Sequence, residues 1–488
     1  MQQQSMFFKA RATATLADVG LQANLRQAKG KFVDSRAQAV ADYDRENEGD
    51  FEALRLAGEA IRKRVVDDLD SWLEVFEERA TARGASVLWA RDGQEICDLV
   101  LDIARTHGVQ KVIKSKSMLS EEAGLNQALE AAGVRPVETD LGEYILQIAG
   151  NEPPSHIIAP VMHKNVDQVA DLFARTHGTP RQTAIPALTR EARAVLREHF
   201  VSAEMGISGA NFLIAETGSA ALVTNEGNGR MVSSLPKVHV VITGIEKIVP
   251  TLADFATLMR LLPRSATGQV ISNYVSLLTG KARGSAEEST TAATDATDAT
   301  DGPEHVYFIL VDNGRVGLLG SEFQSMLACI RCGACLNHCP VYQTIGGHAY
   351  GWVYPGPMGS VLTPLLRGVE KALDLPQAST LCQQCSVVCP VRIPLPELLR
   401  KLRERQTRAG LRPRGERLAW RLWAWLAARP GCYDLATRAA LRYLNWLAGG
   451  RERIEVLGIA PGWSAGRDFP APQGKTFRQL YRQQTKPR

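Results

Sequence analysis

Seven of the nine cysteines lie between Cys329 and Cys389, and their spacing speaks for a particular chemistry. The first group is Cys329-Ile-Arg-Cys332-Gly-Ala-Cys335-Leu-Asn-His-Cys339-Pro340, or C-x2-C-x2-C-x3-C-P. The second is Cys382-Gln-Gln-Cys385-Ser-Val-Val-Cys389-Pro390, or C-x2-C-x3-C-P. Thiols this dense in a reducing compartment read as metal ligands and not as disulfides. Zinc is the plainer reading, but zinc sites take ligands in sets of four, whereas the first spacing is that of cubane iron–sulfur clusters. Three thiolates on a tight loop grip three irons of one cube, and the fourth cysteine, sent on by the proline turn, reaches the neighbouring cluster.

Exchanging the fourth ligands gives two sets. Cluster one takes Cys329, Cys332, Cys335 and Cys389, and cluster two takes Cys339, Cys382 and Cys385. Aligning the second motif on the first puts Ser379 where the leading cysteine should stand. Two [4Fe–4S] clusters are therefore expected. The second is one thiolate short, with its fourth iron held by Ser379, by water or another ligand, or absent, which would leave a labile or [3Fe–4S] cluster. Cys97 and Cys432 lie far from both motifs and read as buried free thiols.

The elements that must position these thiols come next. Forty-two residues separate Cys339 from Cys382, too many for the hairpin of a small ferredoxin. They contain a helix signal over 363–373, with Thr363 as cap and Pro364 at the first helical position. After Cys389-Pro390, residues Leu395, Leu398, Leu399 and Leu402 share one helical face. Clusters held between helices resemble the α-helical ferredoxin arrangement of respiratory iron–sulfur subunits.

Upstream, the spacing predicts an amphipathic helix over 51–83, stopped by Gly84. Strands over 86–90, 111–113 and 134–138 alternate with helices over 95–106 and 121–131, the signature of a parallel α/β sheet. Segments 157–160, 212–215, 221–224, 238–243 and 305–312 are expected to extend that sheet. The low-complexity stretch 281–303 reads as a mobile surface loop inside the α/β domain. The predicted organisation is N-terminal helices over 1–84, an α/β domain over 85–320, a two-cluster domain over 321–410 and a basic, Trp-rich region over 411–488.

Several α/β segments carry groups suited to anions. Lys114 and Lys116 follow a strand and precede a helix, where backbone N–H groups and ammoniums meet. His163 and Lys164 form a candidate acid–base pair, and the turns holding Glu216 and Arg230 supply glycines for close approach. These six residues make a candidate anion pocket; no catalytic residue is singled out. No GxGxxG follows a strand, and there is no P-loop or GxSxG, so nicotinamide, nucleotide and serine-hydrolase chemistries lose support.

The chain has 488 residues, 45% hydrophobic and 22% charged, enough for two or three domains and incompatible with disordered, collagen-like or disulfide-scaffold classes. No run of eighteen apolar residues occurs and the N-terminus lacks a signal peptide's apolar core, so a cytoplasmic protein is expected. Charge is uneven: from Arg400 onward 20 lysines and arginines face 6 acids, while the preceding residues carry 37 against 46. By charge alone, such a tail suits an acidic partner, nucleic acid or anionic lipid headgroups. Trp420, Trp423, Trp425, Tyr443 and Trp446 among arginines favour a protein partner or a membrane surface, and no nucleic-acid partner is expected.

The sequence resembles a known family. Lys114-Ser-Lys-Ser-Met118 with Glu121-Glu122, Glu138-Thr-Asp-Leu-Gly-Glu-Tyr144, Pro154-Ser-His-Ile-Ile-Ala-Pro160 and Glu216-Thr-Gly-Ser219 look like the LUD domain of lactate-utilisation proteins. With Gly347-His-Ala-Tyr-Gly351 and the cysteine motifs, they resemble that family's iron–sulfur B subunits over roughly residues 20–480. The resemblance implies an α/β N-terminal domain with the fold of ribose-5-phosphate isomerases and CoA transferases, then an all-α two-cluster ferredoxin domain and a helical tail. It further implies an electron-transfer component of a multi-subunit system oxidising L-lactate to pyruvate, with other lactate-utilisation subunits as partners and membrane contact through them. The family's second motif also has three cysteines, so the missing thiolate is no departure, whereas the 281–303 loop is one. Two other readings remain open: a catalytic or ligand-binding LUD pocket with secondary clusters, and a redox-sensing or scaffold protein with structural clusters.

Overall fold

The computed structural model describes residues 3–46, 50–281, 302–458, 464 and 466–485. The loop read at 281–303 falls, but for its ends, outside the described residues. The chain forms two compact units, Met1–Arg405 and Gln406–Arg488.

The larger unit is built on six parallel strands: β1 (Ser86–Ala90), β2 (Lys111–Lys114), β3 (Arg135–Glu138), β4 (Met205–Ser208), β7 (Val238–Gly244) and β10 (His305–Val311), in the order β1-β10-β7-β4-β2-β3. Every residue of β7 is buried, as a parallel strand covered on both faces requires. A second, mixed sheet, ordered β8-β5-β6-β9, takes β5 (Phe212–Ile214), β6 (Ser219–Thr224), β8 (Ile248–Val249) and β9 (Tyr274–Leu278). The expected strands at 212–215 and 221–224 thus exist but pair outside the parallel sheet, and β4 was not anticipated.

Other departures have local causes. The helix read over 51–83 is two, Phe51–Asp67 and Leu69–Ala82, because Asp68 leaves the helical region at φ −137°, ψ 43°. The turn lets Phe51, Leu54 and Ile61 join one core and Leu69, Leu73 and Phe76 another. Gly124, at φ 74°, likewise splits 121–131 into Met118–Ala123 and Leu125–Ala131. Residues 157–160 form no strand: Nδ1 of His156 accepts from the N–H groups of Ile158 (3.0 Å) and Ala159 (3.1 Å), which a ladder would need. The helix expected from Thr363 runs instead over Gly356–Arg367, with Pro357 in its first turn and Pro364 inside it.

Between 321 and 405 the chain is helical and irregular, ending in the helix Leu395–Arg408, whose Leu395, Leu398, Leu399 and Leu402 are buried as its periodicity requires. The smaller unit contains helices Arg414–Ala427 and Pro430–Ala448, a short antiparallel pair (Arg453–Ile454 with Phe469–Pro470) and the helix Phe477–Gln484. Trp420 and Trp446 are 62% and 74% exposed, and Arg429 stacks on the Trp425 ring at 4.4 Å. No helix among the described residues is long and apolar enough to cross a membrane.

Candidate iron–sulfur site and adjoining cavity

The two cysteine motifs are structural repeats fifty positions apart. Cys332 precedes the helix Ala334–Asn337 as Cys382 precedes Gln384–Val387. Arg331 and Leu381 have φ of 57° and 55°, a left-handed conformation that non-glycine residues adopt only when held there. The N–H of Cys339 donates to Leu336 O at 3.1 Å, and that of Cys389 to Ser386 O at 3.2 Å. In this repeat Ser379 is the counterpart of Cys329. Its hydroxyl accepts from the Leu381 N–H at 3.1 Å, and its carbonyl accepts from Arg403 at 3.0 Å.

Cys329, Cys332, Cys335 and Cys389 line one small cavity, walled by Met326, Met358 and Ile393. Beyond the effect of burial, Cys382 raises the pKa of Cys339, and Cys339 and Cys382 raise that of Cys385, so the three form a second neighbourhood, which Cys335 and Cys385 link to the first. Burial above all pushes Cys385 up to about 12 and Cys389 up to about 11, and it raises Cys332 and Cys335 as well. Cys382 alone is exposed, and hydrogen bonds from the Gln384 N–H and the Thr380 hydroxyl lower its pKa. The donor set suits an iron–sulfur cluster: buried thiolates crowded together need a polynuclear cation to be tolerable, and binding it displaces their protons. Cys97 is buried and free, with Sγ 3.8 Å from Ala123 O, whereas Cys432 is only half-buried.

Arginines from the N-terminal helices fasten this module. Arg62, 1% exposed, donates to the carbonyls of Leu327 (3.1 Å) and Ala328 (3.2 Å), just ahead of Cys329, and to that of Ile248 (2.7 Å) in β8. Arg55 donates to Cys389 O at 2.8 Å and Arg36 to Val388 O at 3.2 Å. A buried chain of charges continues into the α/β domain. Tyr354 donates to Glu122 at 2.6 Å, Arg315 bridges Glu122 (3.2 Å) and Glu246 (2.7 Å), and Arg331 reaches Glu246 at 3.1 Å. On the other side, His156 Nε2 meets Asn337 Oδ1 at 2.9 Å, and Tyr342 donates to Ser155 O at 2.6 Å. Burial pushes His156 down to about 4, so the ring is neutral, with Nδ1 accepting and Nε2 donating. Sequence reading missed these residues. Arg62 and Arg331 left a signal, one on the apolar face of a helix and the other inside a cysteine motif.

A cavity of about 320 Å³ opens at the carboxyl ends of β2, β4 and β7 and shares Cys332 with the first thiol set. Of the six residues read as an anion pocket, Lys116 lines it. The other five lie elsewhere. Lys114 is buried in a pair with Glu138 at 2.6 Å. His163 and Lys164 both pair with Glu152, and burial pushes His163 down to about 4. Glu216 accepts from the Leu252 N–H at 2.8 Å, and Arg230 is exposed. The cavity instead gathers Ser115, Thr243, Lys247 and Arg331 around Lys116.

Family models match three consecutive stretches: a LUD domain over residues 73–311, a 4Fe-4S dicluster domain over 325–393 and a lactate utilisation protein B C-terminal region over 399–486. The chain is thus an iron–sulfur protein of two [4Fe–4S] clusters, with a LUD domain ahead of them and a helical C-terminal region after. Lactate utilization protein B of Lysinibacillus sphaericus is 41% identical over 98% of this chain and 97% of its own, and that of Bacillus subtilis is 42% identical over 89% and 88%. The chain belongs to the lactate utilization protein B family. A solved DUF162 family protein from Deinococcus radiodurans, at 13% identity over 50% of this chain and 98% of its own, has a TM-score of 0.27, too low to bear on the fold.

Proposed function

We propose that this chain is the iron–sulfur electron-transfer subunit of a multi-subunit system oxidising L-lactate to pyruvate. The observation that carries this reading is the division of the seven cysteines into a set of four around one internal cavity and a neighbouring set of three with Cys382 exposed at its rim. In this reading Cys329, Cys332, Cys335 and Cys389 hold one cluster. Cys339, Cys382 and Cys385 hold the other, with the Ser379 oxygen, water or another ligand completing it. Bound there, the clusters supply one-electron acceptance and release. The chain's own part is to enclose the first set around one cavity, to hydrogen-bond its sulfurs from backbone such as the Ile393 N–H at 3.4 Å from Cys389 Sγ, and to leave Cys382 within a partner's reach.

The finer organisation belongs to the same proposal. Residues 1–84 lead into a LUD domain over 85–320 with the fold of ribose-5-phosphate isomerases and CoA transferases, and 321–410 form an all-α ferredoxin module. Residues 411–488 present Trp420 and Trp446 to the other lactate-utilisation subunits. The complex is cytoplasmic, and any membrane contact runs through those partners. The test is anaerobic addition of L-lactate to the cluster-loaded protein, alone and with the other subunits. Bleaching of the iron–sulfur absorbance only when the partners are present is the expected result. Clusters that stay oxidised with every subunit present overturn the reading.

A further inference from the structure

The 320 Å³ cavity has a feature the electron-transfer reading does not use. Four of its side chains bury a polar atom that no group among the described residues hydrogen-bonds: Ser115 Oγ, Lys116 Nζ, Thr243 Oγ1 and Nη1 of Arg331. Ser115 and Thr243 are 1% and 2% exposed. Lys116 has Glu143 at 3.4 Å as an ion-pair neighbour but no hydrogen bond, and Arg331 spends Nη2 on Glu246. Each unpartnered buried donor costs stability, and four converging on one space is a pattern that folding alone does not select. The place is also the one where open parallel sheets bind ligands. β2 is flanked by β3 on one side and β4 on the other, so the chain reverses direction here, and Ser115 and Lys116 stand just beyond the carboxyl end of β2.

We propose that this cavity binds a small 2-hydroxy or 2-oxo carboxylate. The ammonium of Lys116 and the free guanidinium N–H of Arg331 meet its carboxylate, with the amino group of Lys247 beside them and the carboxyl groups of Asp140, Glu226 and Glu246 elsewhere on the lining. The Ser115 and Thr243 hydroxyls, surplus to what two carboxylate oxygens need, suit the adjacent oxygen. At about 30 Å³ per water, the space takes an acid of about ten non-hydrogen atoms, or a smaller one with water. The choice of acid rests on the lactate-oxidising reading. Because Cys332 lines both this cavity and the thiol site, occupancy should also alter the spectrum of the first cluster.

The test is calorimetric titration of the cluster-loaded protein with L-lactate, pyruvate, propionate and inorganic phosphate, repeated in Lys116→Met and Thr243→Val. L-lactate or pyruvate should bind, with propionate at least tenfold weaker because it lacks the second oxygen. Both variants should lose at least tenfold in affinity. Thr243→Val should melt no lower than wild type, since the hydroxyl it removes has no partner among the described residues. Failure of both acids to bind at millimolar concentration, undiminished affinity in both variants, or tighter binding of phosphate than of either acid overturns the proposal. A chain that relays electrons with its partners yet binds neither acid refutes only this inference. One that binds the acid but is never reduced with its partners refutes only the electron-transfer reading.

Discussion

Gln383 adopts φ 69°, within a few degrees of the 74° of Gly333, its counterpart in the preceding cysteine motif. The same turn is thus made by glycine in one motif and by a residue with a side chain in the other. The difference lies in what surrounds them. A Cβ on Gly333 would come 2.9 Å from Ile158 Cδ1, so the first motif is pressed against the 156–158 turn. Gly333→Gln should therefore cost about 1–2 kcal/mol in strain and crowding and lower the iron content of the first site. Gln383→Gly should leave stability within about 1 kcal/mol of wild type. Chemical denaturation and iron analysis of both variants check this, and equal losses in the two would sink it.

In the proposed ligand set the second cluster lacks a fourth thiolate, and Ser379 stands where the first motif has Cys329. A serine oxygen is a harder ligand than a thiolate, and iron–sulfur clusters select soft ones. The iron at that corner should be the first lost on oxidation. Electron paramagnetic resonance of the air-exposed protein should show a three-iron signal from one cluster only, and Ser379→Cys should suppress it. A signal that persists undiminished in the variant, or that wild type never gives, excludes this account.

Cys329→Ala removes one thiol from the set of four while leaving the set of three intact. Metal binding and folding are coupled in such modules, so the variant should retain about half the iron and melt lower. Iron per chain equal to wild type would show that Cys329 is not a ligand.

The legible part of this molecule is what local spacing encodes. The cysteine motifs, the strands β1, β2, β7 and β10 and the leucine face of Leu395–Arg408 all follow from periodicity, and the structure has them close to where it puts them. The cavity was not legible, because its members come from 115–116, 243–247 and 331, which only the closed sheet and the docked cysteine loop bring together. Lys114 and Lys116 look interchangeable in sequence. Lys114, the last residue of β2, stands opposite Glu138 of β3 and is spent on it, whereas Lys116, two residues past the strand, lines the cavity. His163-Lys164 misled for a similar reason, since Glu152, eleven residues before His163, satisfies both.

Glu143 should make stability depend on pH near neutrality. Burial, with Glu138, Glu121 and Asp140 adding to it and Lys116 opposing, raises its pKa from 4.5 to about 7. A carboxyl raised in the folded state favours folding while protonated, so its contribution is fully present below the ordinary value and is lost as pH climbs through 7. From about pH 5.5 to about pH 8 the loss is about 2 kcal/mol. Thermal unfolding at those two pH values should show a larger fall for wild type than for Glu143→Gln. Parallel falls would rule the carboxyl out as the cause.

Glu246 is the hinge pin of the buried charge chain, gripped by Arg315 at 2.7 Å and Arg331 at 3.1 Å. Burial alone would raise its pKa, but the two guanidiniums outweigh that and hold it at about 2, so it is ionised at every working pH. Arg331 sits between Cys329 and Cys332, which means that this carboxylate ties the first cysteine loop to the end of β7. Replacing one partner of a buried ion pair leaves the others desolvated without compensation, a loss of about 3–5 kcal/mol. Glu246→Gln should therefore lower the melting temperature and release iron from the first site faster than from the second, whose loop is held instead by Arg403 on the Ser379 carbonyl. Replacing Arg315 by Met and Glu122 by Gln as well should recover part of the stability, since the charges orphaned on Arg315 and then on Glu122 are removed too. A single variant that melts like wild type, or a triple variant that melts lower than the single, would show that the chain of charges does not hold the loop.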